Sequence, residues 1–278
     1  MKLAREDLGL LKERVARIEE SVCAVDGPLA WSPSTFRTWQ RVWSCLQIRS
    51  LGPEGKERVG CEEDGGYVVP KDWRNFSRLF SLGIGPDNSF DMAFAEAGIP
   101  VEAYDPTILR LPQEHAKIRW IKRMVVPKPG LSKNEISLGQ ILENIAEEAA
   151  PGLKMDIEGS EYAVLLSCPD ERLRYLRFFV AEFHGIADII ASEQTASLEA
   201  CWNRLSGIFD TVHLHANNAG GARILGGALV PNILEVTMVN RKFYPTVPSL
   251  EFFPGSMDRP NLRGRAEIQI CPPWPQPC

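Results

Sequence analysis

No Cys-x-x-Cys pair occurs in the chain, and the seven cysteines (Cys23, Cys45, Cys61, Cys168, Cys201, Cys271 and Cys278) are scattered and odd in number. That pattern fits free thiols in the cytoplasm better than a disulfide framework. No run of lysine and arginine marks a nucleic-acid groove, and the formal net charge is −5, so no DNA or RNA partner is expected. No stretch approaches the roughly 20 apolar residues of a membrane helix. The N-terminal segment is charged and amphipathic rather than a signal peptide, so no membrane partner is expected either. What is present is an ordinary globular composition, 44% hydrophobic and 24% charged, with enough chain for one large α/β domain and extensions.

Ala4, Leu8, Leu11, Val15, Ile18 and Val22 alternate steps of four and three, which predicts a helix over 3–22. Such a helix either lies on its own domain or pairs with a second copy as a dimerisation helix. Asp26-Gly27-Pro28 ends it. A second helix is predicted over 33–48, where Trp39, Val42, Trp43 and Leu46 form one packing stripe. Seven apolar segments then read as strands: 78–82, 100–104, 117–121, 151–156, 177–183, 208–215 and 233–239. Helices are expected at 87–97, 135–149, 159–167 and 192–206. This alternation predicts a Rossmann-like, seven-stranded and mostly parallel sheet covered on both faces. Residues 216–232 contain four glycines and no clear helix, which suggests a hairpin-like return and a reversed last strand. The expected organisation is an N-terminal helical extension over 1–57, a main domain over 58–245, and a proline-rich, extended or disordered tail over 246–278.

The most informative local feature is a glycine turn. Leu79-Phe80-Ser81-Leu82 runs into Gly83-Ile84-Gly85, and about twenty residues on the next strand ends in Tyr104-Asp105. Glycines there let the backbone approach a ligand closely, and an acid at the end of the second strand can accept bonds from two ribose hydroxyls. The residue three beyond Gly85 is Asn88, so the third glycine of a dinucleotide fingerprint is missing, which disfavours NAD. S-adenosylmethionine, which has no phosphate, needs the close approach but not the anion cradle.

Strand ends supply the remaining candidates. In open α/β sheets ligands lie beyond the carboxyl ends of the strands, which directs Asp156, after Leu153-Lys154-Met155, towards a cleft. Glu158 and Glu161 can instead serve the following helix N-terminus. Glu182 and His184 share one face of their strand by period-two alternation, and His184 has the chemistry of a general base. His215 is the second candidate base, and His213 reads as core. Asn217 and Asn218 can bond a substrate or cap the turn, Glu235 falls near the same edge, and 219–227 could act as a mobile lid. Asp156, Glu182 or His184, and His215 could coordinate a divalent metal. Asp64-Gly65-Gly66 is either a plain turn or a lip over the cofactor site.

In this order, Asp64-Gly65-Gly66-Tyr67, Ser81-Leu82-Gly83-Ile84-Gly85, Tyr104-Asp105-Pro106, Lys154-Met155-Asp156-Ile157-Glu158-Gly159-Ser160-Glu161, Glu182-Phe183-His184 and His215-Ala216-Asn217-Asn218 resemble the FkbM-like and methyltransferase-like-24-type families of class I S-adenosylmethionine-dependent methyltransferases. The resemblance spans roughly residues 58–240. It implies that Gly83, Gly85 and Asp105 hold the cofactor, that Asp156 lies near its methionine end, and that the acceptor is a hydroxyl on a small molecule, often a sugar or natural product. One departure is Ser81, which stands where those families commonly have an aspartate and cannot supply the same charge for the cofactor ammonium. Asp64 or Asp87 would substitute. The expectation is an O-methyltransferase with His184 as base. Its rivals are an NAD-linked oxidoreductase and a non-catalytic scaffold that kept the fold.

Overall fold

The structure is a computed structural model that describes residues 33–270 apart from 53, 54, 131, 144, 146–148, 226 and 227. The expected heptad helix over 3–22 and the end of the proline-rich tail lie outside the described residues.

Seven short strands build the central sheet: β1 (Leu79–Leu82), β2 (Val101–Tyr104), β3 (Ile118–Ile121), β4 (Gly152–Met155), β5 (Phe178–His184), β6 (Phe209–Ala216) and β7 (Ile233–Asn240). Most of their residues are buried, as expected of strands covered on both faces. Their spatial order is β3-β2-β1-β4-β5-β7-β6. β7 is antiparallel to both β5 and β6, and the other pairings are parallel. The architecture is thus Rossmann-like α/β, with the predicted reversed last strand wedged between β5 and β6. Strand order changes direction between β1 and β4, the place where such sheets open a crevice.

One face of the sheet packs against α1 (Pro33–Cys45), α4 (Glu161–Ser167), α6 (Ile186–Ala191) and α7 (Ala196–Ser206), with α3 (Leu138–Ile141) and α5 (Asp170–Leu173) at its margin. Trp39, Val42, Trp43 and Leu46 of the predicted stripe are all buried there. The other face packs against α2 (Ser89–Glu96) and a hairpin of Lys56–Val59 with Tyr67–Pro70.

Three local expectations change. The helix predicted over 135–149 starts only after Ser137, which forms a capping box with Gln140, and Glu135–Ile136 instead pairs with Met124–Val125. The helix predicted over 192–206 begins at Ala196, and a separate α6 precedes it, the two parted at Glu193 with φ 61°. The segment foreseen as a lid is a ribbon, Ala222–Leu225 paired with Ala228–Pro231. Ala222, Leu225 and Val230 anchor it in the core, so it is not a free cover over the cleft.

The described part of the segment after 245, up to residue 270, is largely irregular yet not a loose tail. Phe253, Ile268 and Ile270 are buried in the main core, and Val247–Pro248 pairs with Arg49–Ser50. These apolar residues, spaced among the prolines, hold the segment against the domain.

Candidate active site

The glycine turn after β1 is forced by its neighbours. Gly83 has φ +81°, and a Cβ there would sit 2.8 Å from the carbonyl carbon of Asp156 and closer still to its oxygen. No side chain fits between the ends of β1 and β4. Gly85 also has a positive φ, +64°, but a Cβ there would meet nothing within 4 Å. The turn is pinned from below by Lys154, whose Nζ donates to Gly83 O at 2.6 Å. Lys154 is buried, 3.7 Å from Asp156 Oδ2.

Asp105 lies at the cleft as expected, but the turn already uses its carboxylate. Oδ2 accepts from Ile84 N at 2.9 Å and Gly85 N at 3.0 Å. Oδ1 accepts from the backbone N and the hydroxyl of Thr107, both at 2.6 Å, and weakly from Ile108 N. These donors fill the roughly four acceptor positions of a carboxylate. Burial raises its pKa, but the Thr107 hydroxyl and the N–H groups of Gly85, Ile84 and Thr107 outweigh it and leave the group below its ordinary value. Asp105 therefore clamps the glycine turn to the end of β2; a ribose diol would have to share an acceptor that is already saturated.

Beyond the carboxyl ends of β1, β4 and β5 opens a cleft of about 550 Å³, within the range of small-molecule and cofactor sites. Gly83, Gly85, Asp105, Asp64, Asp156, Glu182 and His184 all line it. Its charge is lopsided. Asp64, Asp87, Asp91, Asp105, Asp156, Glu158 and Glu182 contribute carboxyl groups, whereas Lys154 and His184 are the cationic side chains among the described lining residues. Burial, then Asp156 and Glu235, push the Glu182 carboxyl well above the usual range. Its Oε1 accepts from Asn217 Nδ2. Asn261, from the C-terminal segment, donates to both Asp64 Oδ1 (3.0 Å) and Glu235 Oε1 (2.6 Å).

His184 stands at the end of β5, mostly buried, with acids around it. Its Nδ1 lies 3.1 Å from Glu161 Oε1, and its Nε2 lies 3.5 Å from Glu158 and 4.0 Å from Asp156. Burial lowers its pKa, but Glu161, then Glu182 and Asp156, overcome this and raise it to about 9. The ring is an imidazolium at neutral pH in the unliganded site. Glu161 is fully buried, and the same Oε1 also accepts from Ile157 N and Gly159 N. It thus serves the helix start, as its position suggested, and also fixes the histidine ring. Glu158, at φ 55°, is held in the left-handed region that non-glycine residues seldom adopt.

His215 does not belong to this site. It is buried on β6, with Nδ1 3.1 Å from Glu235 and Nε2 3.2 Å from Glu267. Burial opposes its charge, but Glu235 and Glu267 more than compensate and hold it well above the usual histidine value. With both ring nitrogens bonded to carboxylates it is a structural cation rather than a base, and it cannot complete a metal set with Asp156. His213 is core, as expected: Nε2 bonds Asp258 at 2.7 Å, and burial lowers its pKa. Asp87, foreseen as a substitute acid, accepts from Ser89 N at 2.9 Å and from the Ser89 hydroxyl at the start of α2. Potential metal-ligand atoms of Asp156, Glu158 and His184 lie within 4.8 Å of one another, as do those of Asp64, Glu182 and Glu235.

Three further residues line the cleft without having been assigned a role from the sequence. Lys154 shows as a lone charge inside an apolar strand. Tyr67 is buried and reaches Asp156 Oδ2 at 3.4 Å. Asp91 lies on α2 and gives no local signal, because an acid in the first turn of a helix is ordinary.

No family model matches the chain. It is 27% identical over 124 residues to the "Probable methyltransferase-like protein 24" of Rattus norvegicus, a match covering 41% of this chain and 34% of that protein. It is 30% identical over 98 residues to the protein of that name in Homo sapiens, covering 32% and 27%. The chain thus spans about a third of the length of the curated relatives it matches. A chain from the crystal structure of a fibrillarin/Nop5p complex aligns with a TM-score of 0.38 and 11% identity, over 67% of this chain and 92% of that one. The methyltransferase-like relatives support a class I methyltransferase fold, in keeping with the sheet described above. No helix among the described residues is long and apolar enough to cross a membrane.

Proposed function

We propose that this chain is an S-adenosylmethionine-dependent methyltransferase of the FkbM-like and methyltransferase-like-24 type, transferring a methyl group to a hydroxyl oxygen of a small molecule, sugar or natural product. One observation carries this reading. The cleft at the β1/β4 switch combines a glycine turn with a lining rich in carboxyl groups, and its one lysine is already bonded to Gly83 O. Such a lining suits a ligand with cationic centres and offers little to a pyrophosphate, which argues against an NAD-linked oxidoreductase.

The residues present fit the cofactor. Gly83 and Gly85 give the close backbone approach, and Asp91, whose buried Oδ1 has no hydrogen-bond partner, lines the same cleft. When bound, S-adenosylmethionine supplies an electrophilic methyl group on a sulfonium. The chain's part is to hold the reacting atoms in line, which supplies most of the acceleration in such transfers, and to take the hydroxyl proton. His184 is the proposed acceptor at Nε2, with Glu161 fixing Nδ1. It must first lose its own proton, and cationic charge entering the carboxyl cluster favours that loss. Asp156 orients the acceptor hydroxyl or the cofactor.

The test is calorimetric titration of EDTA-treated protein with S-adenosylmethionine and with NAD, repeated with magnesium. Micromolar binding of S-adenosylmethionine supports the proposal, and binding of NAD alone overturns it. The magnesium arm tests a cation at Asp156, Glu158 and His184. Self-association through the segment 3–22 is a separate proposal, tested by light scattering of the full chain against one lacking that segment.

A further inference from the structure

Two buried polar atoms beside the glycine turn have no hydrogen-bond partner: Ser81 Oγ on β1 and Asp91 Oδ1 on α2. Ser81 is fully buried and Asp91 is 3% exposed. The Ser81 hydroxyl is close enough to ease the charged form of Asp91, yet neither atom has a partner of hydrogen-bond geometry. Asp91 lines the same cleft as the glycine turn and Lys154. Native structures rarely leave buried polar atoms unpaired, because each forfeits the hydrogen bonds it had with water. An unpaired carboxylate oxygen at the wall of a ligand cleft is satisfied when a donor arrives with the ligand.

Lys154 is the obvious internal partner, and it is engaged elsewhere. Its Nζ donates to Gly83 O at 2.6 Å and lies 3.7 Å from Asp156 Oδ2. No ion pair within 4.0 Å links it to Asp91 among the described residues. Burial pushes the Asp91 carboxyl up to about 6, against the pull of Lys154 and Ser81, so a cation placed beside it would be strongly favoured. The two substitutes that the sequence offered are already bonded. Asp87 is bonded to Ser89, and Asp64 to Asn261.

We propose that Asp91, assisted by the Ser81 hydroxyl, is the ammonium-binding group for the amino-acid end of the cofactor, so that the acid absent from position 81 of β1 is supplied instead from α2. The inference rests on the S-adenosylmethionine reading above. An ammonium offers three donors, one of which suits the unpaired Asp91 oxygen at the cleft wall, with the buried Ser81 hydroxyl supporting the charged form of that carboxylate. Charge-assisted bonds of this kind are about twice as strong as neutral ones.

The experiment compares two ligands against two variants by calorimetry, with a thermal melt of each protein. S-adenosylmethionine carries the ammonium; 5′-methylthioadenosine keeps the nucleoside and lacks the amino-acid end. Asp91→Asn is expected to weaken S-adenosylmethionine by about tenfold or more and to leave 5′-methylthioadenosine within about twofold. Ser81→Ala is expected to give a smaller loss, again on S-adenosylmethionine alone, and it keeps the test decisive should Asp91→Asn fail to fold. Unchanged S-adenosylmethionine affinity in the folded variants, or an equal loss for both ligands, overturns the inference and leaves the methyltransferase reading standing. If the wild-type protein binds neither ligand, both fall.

Discussion

Replacing Gly83 and Gly85 by alanine, one at a time, should separate two roles that look alike in the sequence. Both glycines have positive φ, +81° and +64°, a conformation that costs an L-residue about 1–2 kcal/mol. Gly85→Ala adds little to that, since its Cβ meets nothing within 4 Å, and the stiffer unfolded chain returns about 0.4–1 kcal/mol. The net loss should be about 1 kcal/mol. Gly83→Ala also drives a methyl to 2.8 Å from the Asp156 carbonyl carbon, where carbon contacts settle near 3.5–4.0 Å. The ends of β1 and β4 must part by about 1 Å, and both are central strands. With overpacking at about 1–3 kcal/mol on top of that net backbone loss, the total becomes about 2–4 kcal/mol, a large share of the about 5–15 kcal/mol that holds a typical domain. Urea unfolding reads this directly. With slopes of about 1–3 kcal/mol per molar, Gly83→Ala should lower the midpoint by about 1 M or more, and Gly85→Ala by a few tenths of that. Calorimetry on folded Gly85→Ala should still show weakened S-adenosylmethionine binding, because its methyl occupies open space beside the cleft. Equal midpoints for the two variants, or a Gly83→Ala midpoint at the wild-type value, would refute the close-approach argument.

Three other perturbations probe the site and its supports. His184→Gln should cut turnover by about 10²-fold or more while S-adenosylmethionine binding survives; because the free-protein pKa is about 9, wild-type kcat/KM should climb with pH up to that value and the variant's should not, and equal profiles would remove His184 from its role. Asp105→Ala leaves the N–H groups of Ile84, Gly85 and Thr107 without their acceptor, so cofactor affinity should fall together with a stability loss of about 1–3 kcal/mol, and retained affinity would contradict the clamp. Glu267→Gln weakens the hold on the His215 imidazolium. Since the folded pKa of His215 is raised, its contribution is fully present below the unfolded value of about 6.5 and is lost as pH rises through the folded one. Urea midpoints should therefore differ between wild type and variant at pH 6 and converge in alkali; a gap that widens with pH would reverse the assignment.

The sheet was legible because its strands are compact apolar runs separated by turn chemistry, and each of the seven predicted strands starts and ends within about a residue of the observed one. The cleft was legible because strand ends converge by topology alone, which is why Asp156, Glu182 and His184 meet as expected. What the sequence could not convey was who neutralises whom. His215 finds Glu267, fifty-two positions away, in a segment that reads as a loose proline-rich tail. Asp105 is consumed by donors from its own turn and from Thr107, an outcome fixed by angstrom-scale loop geometry. The charge of His184 follows from acids on separate elements, Glu161 at the start of α4, Asp156 after β4 and Glu182 on its own strand, and no window of residues contains that sum.

The placement of β7 also bears on how the molecule is made. A chain emerging from the ribosome can pair β1 to β5 as they appear, since each finds its neighbour among residues already synthesised. β6 cannot join them. Its partner in the seven-stranded sheet is β7, which arrives seventeen residues after β6 ends, and until then the nascent sheet carries a bare edge on β5 while β6 has the isolated bridge between Ile48 and Thr211. Exposed edges of this kind invite pairing with other chains. A chain interrupted between β6 and β7 would therefore carry an unfinished sheet with an adhesive edge on β5, which makes that interval the stretch where a break in synthesis is most costly.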